Sequence, residues 1–318
     1  MNFINNMLST NIRIIYFVIF ISVFNLTVLI NSQETKYINN EKSISIIYAG
    51  NASGVLQACK CPSNPKGGLL RRITKIEELQ KTEKKNIVID TGDFMPISQN
   101  KLLFYYTKEM MKLTKYDVVC AGDQEFILGI DSFTTIIEDL PIRLDNLEIK
   151  KIWEPKNYYI KKTDDIKIGI LVIIDSSTFV YSSIPKNVRI NNPIATLKNK
   201  ITKIKKLSDL IIVVAHCNDM LVEKIIREIK GIDVLIVGHS RTFKDEPVKI
   251  DNTLVVWGGA SGDFVGKLKL KYDNNNQIIG YENTFFYLDS TVTDNAEGKK
   301  LIEEYNQKLR TYDWRHYR

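Results

Sequence analysis

The chain has 318 residues, of which 44% are hydrophobic and 25% are charged. This much apolar material can fill a core, which excludes an intrinsically disordered or fibrous chain. The 44 Lys and Arg residues exceed the 37 Asp and Glu residues by 7, and because these cations are spread along the chain, the excess does not predict nucleic-acid binding. Four cysteines are too few for a disulfide-stapled miniprotein.

The first predicted element is an apolar segment from Ile14 to Ile30, preceded by Arg13 and followed by no acidic residue until Glu34. About seventeen helical residues span roughly 25 Å, slightly less than the hydrocarbon core of a bilayer. A cleaved signal peptide and an uncleaved membrane anchor over 1–33 both fit, with a linker at 34–43. Either one predicts export to the periplasm or another extracytoplasmic space, secreted or anchored. A buried core helix is the weaker alternative.

From residue 44 onward, short β-branched runs alternate with helical patterns, which predicts an α/β layer architecture. The predicted strands of this part are Ile44–Ala49, Asn86–Asp90, Asp117–Ala121, Ile166–Ile174, Leu210–Ala215 and Asp233–Val237. The predicted helices are Leu69–Lys81, Leu102–Leu113, Ile194–Leu207 and Leu221–Ile229. Three consecutive strands and one amphipathic helix then follow, Thr253–Trp257, Val265–Tyr272, Gln277–Phe286 and Ala296–Leu309. We expect one domain over 44–290 and a C-terminal helix and tail over 291–318.

Polar side chains with chemical capability follow five of these strands. They are Asn51 and Ser53, Asp93, Asp123 and Gln124, His216, and His239. Ligands of α/β sheets gather at the carboxyl ends of strands, so these groups are expected at one edge. A single histidine at a strand end is more often a polar edge residue. Two imidazoles and two carboxylates on separate strand ends, however, suit one Zn, Fe or Mn ion.

The order of these motifs resembles the calcineurin-like metallophosphoesterases, specifically the N-terminal catalytic domain of 5′-nucleotidase-like enzymes. That family carries Asp-x-His, Gly-Asp, Gly-Asn-His-Glu, a lone His and Gly-His-x-His, in this order. The matching segments here are Asn51-Ala52-Ser53, Gly92-Asp93, Gly122-Asp123-Gln124-Glu125, His216 and Gly238-His239-Ser240-Arg241. The resemblance covers about residues 44–310. It implies a four-layer α/β/β/α sandwich of two mixed sheets and a metal-dependent phosphoesterase.

Accessory segments extend the resemblance. Gly67 through Arg72 is similar to the glycine pair that starts a helix in the family, Leu140 through Asn146 to its next strand, and Val255 through Gly266 to a closing strand pair. Arg71 and Arg72 are expected on a solvated helix face, with anion binding at the helix N-terminus as the alternative.

The resemblance implies two neighbouring metal sites, of which this chain keeps one. Three ligands of the first site fall on Asn51, Ser53 and Arg241, so that site is expected to be lost. The second site keeps a four-ligand set in which an aspartate replaces the family's asparagine, namely Asp93, Asp123, His216 and His239. We therefore expect one divalent ion, Zn, Mn or Fe.

Three further residues are predicted to act on a phosphate ester. Arg241 and Asn51 would face the phosphate, and the Arg241 guanidinium, which can bind phosphate through two hydrogen bonds, would partly replace the missing metal. The alternative is that Arg241 pairs with Asp123 or Asp93 in a metal-free pocket. Gln124 occupies the position of a family histidine that assists the leaving group. Because an amide cannot transfer a proton at neutral pH, we expect hydrolysis slowed by about 10²–10⁴-fold.

Substrate identity does not follow from the resemblance. Full 5′-nucleotidases carry a second, C-terminal domain that grips the nucleoside. The sequence ends at Arg318, one helix beyond the last predicted strand, so nucleotide specificity is not expected here. A phosphate-containing small molecule is the expected ligand, and no protein partner is predicted.

Cys59 and Cys61 follow the first strand end closely, and three interpretations stay open. They form a redox or soft-metal thiol pair, they pair with Cys120 or Cys217 in structural disulfides, or they are inert buried thiols. Three functions accordingly compete: an exported phosphoesterase-like protein with one metal, a catalytically inactive binding or accessory module on the same fold, and a thiol-based redox or metal-handling protein.

Overall fold

The structure is a computed structural model that describes residues 42–58, 65–154, 158–163, 165–240, 242, 244–259 and 261–311. The strands are β1 (Lys42–Ala49), β2 (Asn86–Asp90), β3 (Val118–Val119), β4 (Leu147–Ile149), β5 (Tyr159–Lys162), β6 (Lys167–Ile174), β7 (Val188–Ile190), β8 (Leu210–His216), β9 (Val234–Gly238), β10 (Val248–Ile250), β11 (Thr253–Trp257), β12 (Phe264–Tyr272) and β13 (Ile278–Tyr287). The helices are α1 (Leu69–Thr82), α2 (Lys101–Leu113), α3 (Ile130–Asp139), α4 (Pro193–Ile204), α5 (Asp219–Glu228) and α6 (Ala296–Thr311).

Two mixed sheets organise the fold. The first has the order β13-β12-β1-β2-β3 and the second the order β10-β11-β9-β8-β6-β5. In the first sheet β1, β2 and β3 are parallel, and in the second β6, β8, β9 and β11 are parallel. Their carboxyl ends therefore collect at one edge of each sheet, which is where α/β proteins bind ligands.

The core lies between the two sheets and beneath the helices on their outer faces. Strand β8 illustrates this, since all seven of its residues are buried. Ile212 and Val214 join the core shared with the first sheet, while Val213 and Ala215 pack with α4 and α5. Burial on both faces is typical of parallel strands covered on each side. Helices α1, α2 and α6 cover the first sheet, so the predicted four-layer α/β/β/α sandwich is confirmed.

Several elements differ from the sequence-based expectations. The strand predicted over Asp117–Ala121 contains only Val118 and Val119, and the strand expected over Leu140–Asn146 is reduced to a single bridge between Val119 and Ile142. Helix α3 was not predicted because its β-branched sequence gives only a short helical pattern, with Phe133 and Ile136 buried.

Arg72 contradicts the expected solvated helix face. Its helical position places it with Leu69 and Ile76 on the buried side of α1. Its Nη1 lies 3.2 Å from the carboxylate of Asp90, and its Nη2 donates to the carbonyl of Gly50 at 2.7 Å. The guanidinium thus joins α1 to the ends of β1 and β2, and it is not placed to bind an external anion.

The part of the chain that the structure describes contains no helix both long and apolar enough to cross a membrane. The apolar segment from Ile14 to Ile30 lies outside the described residues. Its assignment as a signal peptide or an anchor therefore stays a prediction.

Candidate metal centre

Three of the four predicted metal ligands come together at the carboxyl edge of the sheets. The potential ligand atoms of Asp93, His216 and His239 all lie within 4.8 Å of one another. The Oδ2 atom of Asp93 is 3.4 Å from Nε2 of His216 and 3.0 Å from Nδ1 of His239. Asp93 and His216 are buried and His239 is half-buried. The cluster is therefore open on the His239 side.

Both sheets contribute to this cluster. Asp93 follows β2 in the first sheet, whereas His216 ends β8 and His239 follows β9 in the second. Asp93 and His239 have left-handed backbone angles, with φ of 58° and 62°. Asn51 and Ser53, which follow β1, are left-handed as well, with φ of 50° and 48°. Sparsely populated backbone conformations of this kind concentrate at functional sites.

Gly122 allows the cluster to close. A Cβ atom at this position would lie 2.1 Å from Oδ1 of Asp93 and 2.4 Å from Nε2 of His216. No side chain fits there, so the backbone of the Gly-Asp-Gln-Glu segment approaches the two ligand atoms directly.

The donor atoms fit a divalent cation. Oδ1 of Asp93 and Nε2 of His216 are buried and have no hydrogen-bond partner among the described residues. Nδ1 of His216 lies 2.8 Å from the carbonyl oxygen of Thr91, which assigns the ring proton to Nδ1 and leaves the Nε2 lone pair for a metal. Buried polar atoms normally find partners, and one carboxylate with two imidazoles is a donor set suited to Zn, Mn or Fe.

Electrostatics hold the cluster together before an ion binds. Burial alone would raise the pKa of Asp93, but the two imidazoles outweigh burial and lower it. Burial would lower the pKa of His216, yet the negative charge of the nearby Asp93 carboxylate raises it to about 9. A metal that binds Nε2 must displace the proton held there, so its binding releases a proton.

Glu125 supports the ligands, a role that the sequence analysis missed. Its fully buried carboxylate accepts hydrogen bonds from the backbone N–H groups of Asp93, Phe94, Met95 and Gly122, at 3.2, 2.9, 3.0 and 2.6 Å. Burial, with the nearby charge of Asp93, raises the pKa of Glu125 above its usual value, although the hydrogen bonds from the backbone N–H groups of Met95 and Gly122 act to lower it. The only sequence signal was its place in the Gly-Asp-Gln-Glu segment, which does not reveal these backbone partners.

Asp123, the fourth predicted ligand, is not part of the three-residue cluster. Its Oδ2 accepts hydrogen bonds from the N–H groups of Val180, Tyr181 and Ser182. Its Oδ1 is buried and lacks a partner within the described part of the chain.

The other predicted catalytic residues have mixed placements. Gln124 is buried in a short 3-10 helix, and its Oε1 has no partner among the described residues. The side-chain amide of Asn51 donates to the carbonyl of Gly259, so this nitrogen is engaged within the chain. Arg241 lies outside the described residues.

The cysteines separate into two groups. Cys59 and Cys61 lie outside the described residues. Cys120 and Cys217 are buried free thiols, so the structural disulfides considered for them are not formed. Burial raises the pKa of both thiols, which keeps them protonated and unreactive.

The curated proteins that are similar to this chain include several 5′-nucleotidases. No known protein-family profile matches the chain. The 5′-nucleotidase of Homo sapiens is 25% identical over 292 residues, which cover 80% of this chain and 50% of that protein. The chain thus spans about half the length of the curated relatives that it matches first.

Solved structures share the fold. The 5′-nucleotidase precursor of Thermus thermophilus superposes with a TM-score of 0.75 at 18% identity, covering 85% of this chain and 59% of that chain. The calcineurin-like phosphoesterase YfkN of Bacillus subtilis gives a TM-score of 0.69 at 19% identity, covering 84% of this chain and 98% of that chain. Together with the shared motif order, the curated relatives show that the chain resembles the N-terminal domain of 5′-nucleotidase-like proteins, and the solved structures, which include a calcineurin-like phosphoesterase, show that it shares their fold.

Proposed function

We propose that the chain is a metal-dependent phosphoesterase-like protein that holds a single divalent ion with Asp93, His216 and His239. The observation that carries this proposal is a pair of buried atoms, Oδ1 of Asp93 and Nε2 of His216. Neither has a hydrogen-bond partner among the described residues, and both lie next to the position that a Cβ atom of Gly122 would take. Three protein ligands leave coordination positions open, as in catalytic rather than structural sites.

The chain's own residues hold these donors in place. The carbonyl of Thr91 fixes the tautomer of His216, and Glu125 fixes the backbone on both sides of the cluster through Asp93 and Gly122. When bound, a divalent ion supplies Lewis-acid polarisation of a phosphoryl oxygen and acidifies a bound water. Preorganised ligands of this kind reduce the cost of assembling the site.

Arg241 is the proposed phosphate contact. It lies two residues after His239 in the sequence, at the position where the resemblance places a ligand of the first metal site, the one that is expected to be lost. A guanidinium there supplies positive charge and two parallel donors to a phosphate. Asn51 is a weaker contact, because its amide nitrogen already donates to Gly259.

Gln124 limits the reaction that this site supports. An amide neither donates a proton to a leaving group nor becomes charged at neutral pH. The proposed activity is therefore the hydrolysis of phosphate esters of small molecules whose leaving groups need no general acid. The apolar segment from Ile14 to Ile30 adds the proposal that this activity operates outside the cytoplasm.

A non-catalytic binding module on the same fold is the second candidate. Two observations favour it: the glutamine at position 124, and the engagement of Asn51 by the backbone of Gly259. A thiol-based function rests on Cys59 and Cys61 alone, and no contact of the described residues supports it.

Metal analysis and an activity assay on one sample test these proposals. We expect about one divalent ion per chain, hydrolysis of p-nitrophenyl phosphate that depends on this ion, and loss of both in His216→Ala. The matched control is His316→Ala, which changes the third histidine of the sequence. One ion without hydrolysis supports the binding module, and absence of metal ends the metal-dependent phosphoesterase. Metal lost on the Cys59→Ser, Cys61→Ser double change supports the thiol function.

A further inference from the structure

Three exposed apolar side chains are carried by segments that begin next to the candidate metal centre. After β6, a loop runs through the short 3-10 helix Ser176–Thr178 and presents Val180 and Tyr181, which are 64% and 57% exposed. Met220, which is 76% exposed, lies in the first turn of α5. Apolar groups gathered beside a site are a sign of ligand or partner binding.

The backbone of this loop lies against the metal-binding strand end. Ile174, the last residue of β6, is in register with His216, and the N–H of Asp175 donates to the carbonyl of His216 at 2.9 Å. The side-chain amide of Asn218 donates to Oγ of Ser177 at 2.9 Å, which links the loop to the start of α5 and to Met220. The three apolar side chains therefore belong to two segments that both begin beside His216.

Asp123 fixes the loop on its other side. Its Oδ2 accepts from the N–H groups of Val180 and Ser182 at 2.9 and 3.1 Å and also from that of Tyr181, and its carbonyl accepts from Oγ of Ser182 at 2.7 Å. Hydrogen bonds to a carboxylate are stronger than those between neutral groups. Because Asp123 directly follows Gly122, the loop is anchored one residue from the metal-binding cluster.

Aromatic packing adds to this anchoring. The ring of Phe179 lies 5.5 Å from that of Phe126, which in turn stacks on Phe133 at 4.1 Å. Oγ1 of Thr178 also donates to the carbonyl of Asp175 at 2.7 Å. The exposed side chains are thus carried by an ordered backbone, so little conformational entropy is lost when a ligand contacts them.

We propose that Val180, Tyr181 and Met220 form an apolar rim that binds the organic group of a phosphate ester whose phosphate lies at the metal centre. The substrate class is a monoester of an aromatic or branched apolar alcohol. Asp123 is a positioning residue for this rim and not a metal ligand. The inference rests on the proposed function. A single ion attracts a phosphate less strongly than a pair of ions, so apolar contact contributes a larger share of substrate binding.

The experiment compares phenyl phosphate with methyl phosphate on the full chain loaded with Zn or Mn. Wild-type protein is expected to have the larger kcat/KM for the phenyl ester. Tyr181→Ala should reduce the phenyl-to-methyl ratio by about tenfold, the size expected for one aromatic contact, and Tyr181→Phe should restore it. The matched control is Tyr281→Ala, because Tyr281 is an exposed tyrosine level with the amino end of β1. A ratio that Tyr181→Ala leaves unchanged overturns the rim.

Phenylphosphonate and methylphosphonate provide a readout that needs no turnover. Calorimetry should show the same tenfold preference in affinity and the same loss in Tyr181→Ala. If neither compound shows metal-dependent binding or hydrolysis, the proposed function fails and the rim with it. Metal-dependent binding without a preference for the phenyl compound would contradict the apolar rim but not the proposed function.

Asp123→Asn tests the positioning role. It should lower the phenyl-to-methyl ratio while the metal content stays at about one ion per chain, because a neutral amide holds the three N–H groups more weakly. A loss of metal as large as that in His216→Ala would identify Asp123 as a ligand and overturn this assignment.

Discussion

Gly122 is the residue on which the closeness of the metal ligands depends most directly. Its α-carbon faces both Oδ1 of Asp93 and Nε2 of His216 at distances that exclude a side chain. A methyl group at this position would force one of these ligands, or the backbone between β3 and the 3-10 helix, to move. The cluster therefore requires that residue 122 has no Cβ atom.

We predict that Gly122→Ala lowers the affinity for the divalent ion by about 100-fold, the upper end of effects from changes around metal ligands. Competition with a chromogenic chelator measures this. The control is Gly280→Ala on β13, where a Cβ atom would lie 3.6 Å from Cδ of Lys271, an ordinary contact. Unchanged affinity in Gly122→Ala would show that the metal does not use this pair of atoms.

At this scale the sequence predicted some roles and not others. The carboxyl ends of parallel strands meet at one edge, so Asp93, His216 and His239 could be grouped from their positions alone. The partners of Asp123 could not, since they are backbone N–H groups 57 to 59 residues away. The role of Glu125 was missed for the same reason, because its side chain accepts hydrogen bonds from a loop about thirty residues earlier.

Glu125 connects two elements, the loop after β2 and the loop after β3. Glu125→Gln would place an amide NH₂ where backbone N–H groups now donate, leaving two of the four donors without an acceptor. We predict a loss of about 2–4 kcal/mol in the free energy of unfolding, measured by urea denaturation of the metal-free protein. Glu138→Gln changes an exposed glutamate of α3 and serves as the control. Equal stability of both variants would contradict this.

The pair of Arg72 and Asp90 connects α1 with the ends of β1 and β2. Burial raises the pKa of Asp90 to about 6 from 3.8 in spite of the neighbouring guanidinium. The folded state therefore keeps this proton to a higher pH than the unfolded state does. The contribution to stability is complete below the unfolded pKa and is lost as the pH rises through the folded pKa.

We predict that the difference in unfolding free energy between wild type and Asp90→Asn falls by about 2.4 kcal/mol between pH 4 and pH 7, which is most of the effect expected for a shift of roughly two units. Denaturant titrations across this range measure it. Asp131→Asn, at an exposed position of α3, should leave the pH profile of the wild type unchanged. Parallel profiles for wild type and Asp90→Asn would refute the prediction.

Among the helices and strands, the long elements were predictable from the sequence and the short ones were not. Strands such as β6 and β8 have continuous β-branched runs that are buried on both faces. By contrast, β3 pairs with β2 through two residues and with Ile142 through a single bridge, so its length is set by its neighbours and not by its own sequence. The edge strand β10 has only three residues and carries little pattern.

The described part of the chain is a sandwich whose two sheets both contribute to the candidate metal centre, Asp93 from one and the two histidines from the other. An ion bound there cross-links the sheets, so it stabilises the complete fold and not one loop. The motif order was enough to predict this architecture through the resemblance to the metallophosphoesterases.

We predict that Zn or Mn at about 100 times its dissociation constant adds about 2.7 kcal/mol to the free energy of unfolding. For a domain of this size that corresponds to an increase in Tm of about 5–10 °C, measured by scanning calorimetry. Chelation with EDTA should reverse the shift, and His216→Ala should show none. An equal increase in that variant would place the ion elsewhere in the molecule.

Asn51 and Ser53 already hold the left-handed conformation, which aspartate and histidine tolerate better than most residues. Restoring the Asp-x-His pair there by Asn51→Asp and Ser53→His would therefore change the side chains and leave the backbone conformation as it is. The new carboxylate, however, would face the carbonyl of Gly259, which Asn51 now satisfies as a donor. Two acceptors in contact repel each other unless a cation lies between them. The redesigned chain would therefore fold stably only with the ion bound, and its folding would be a measure of ion binding.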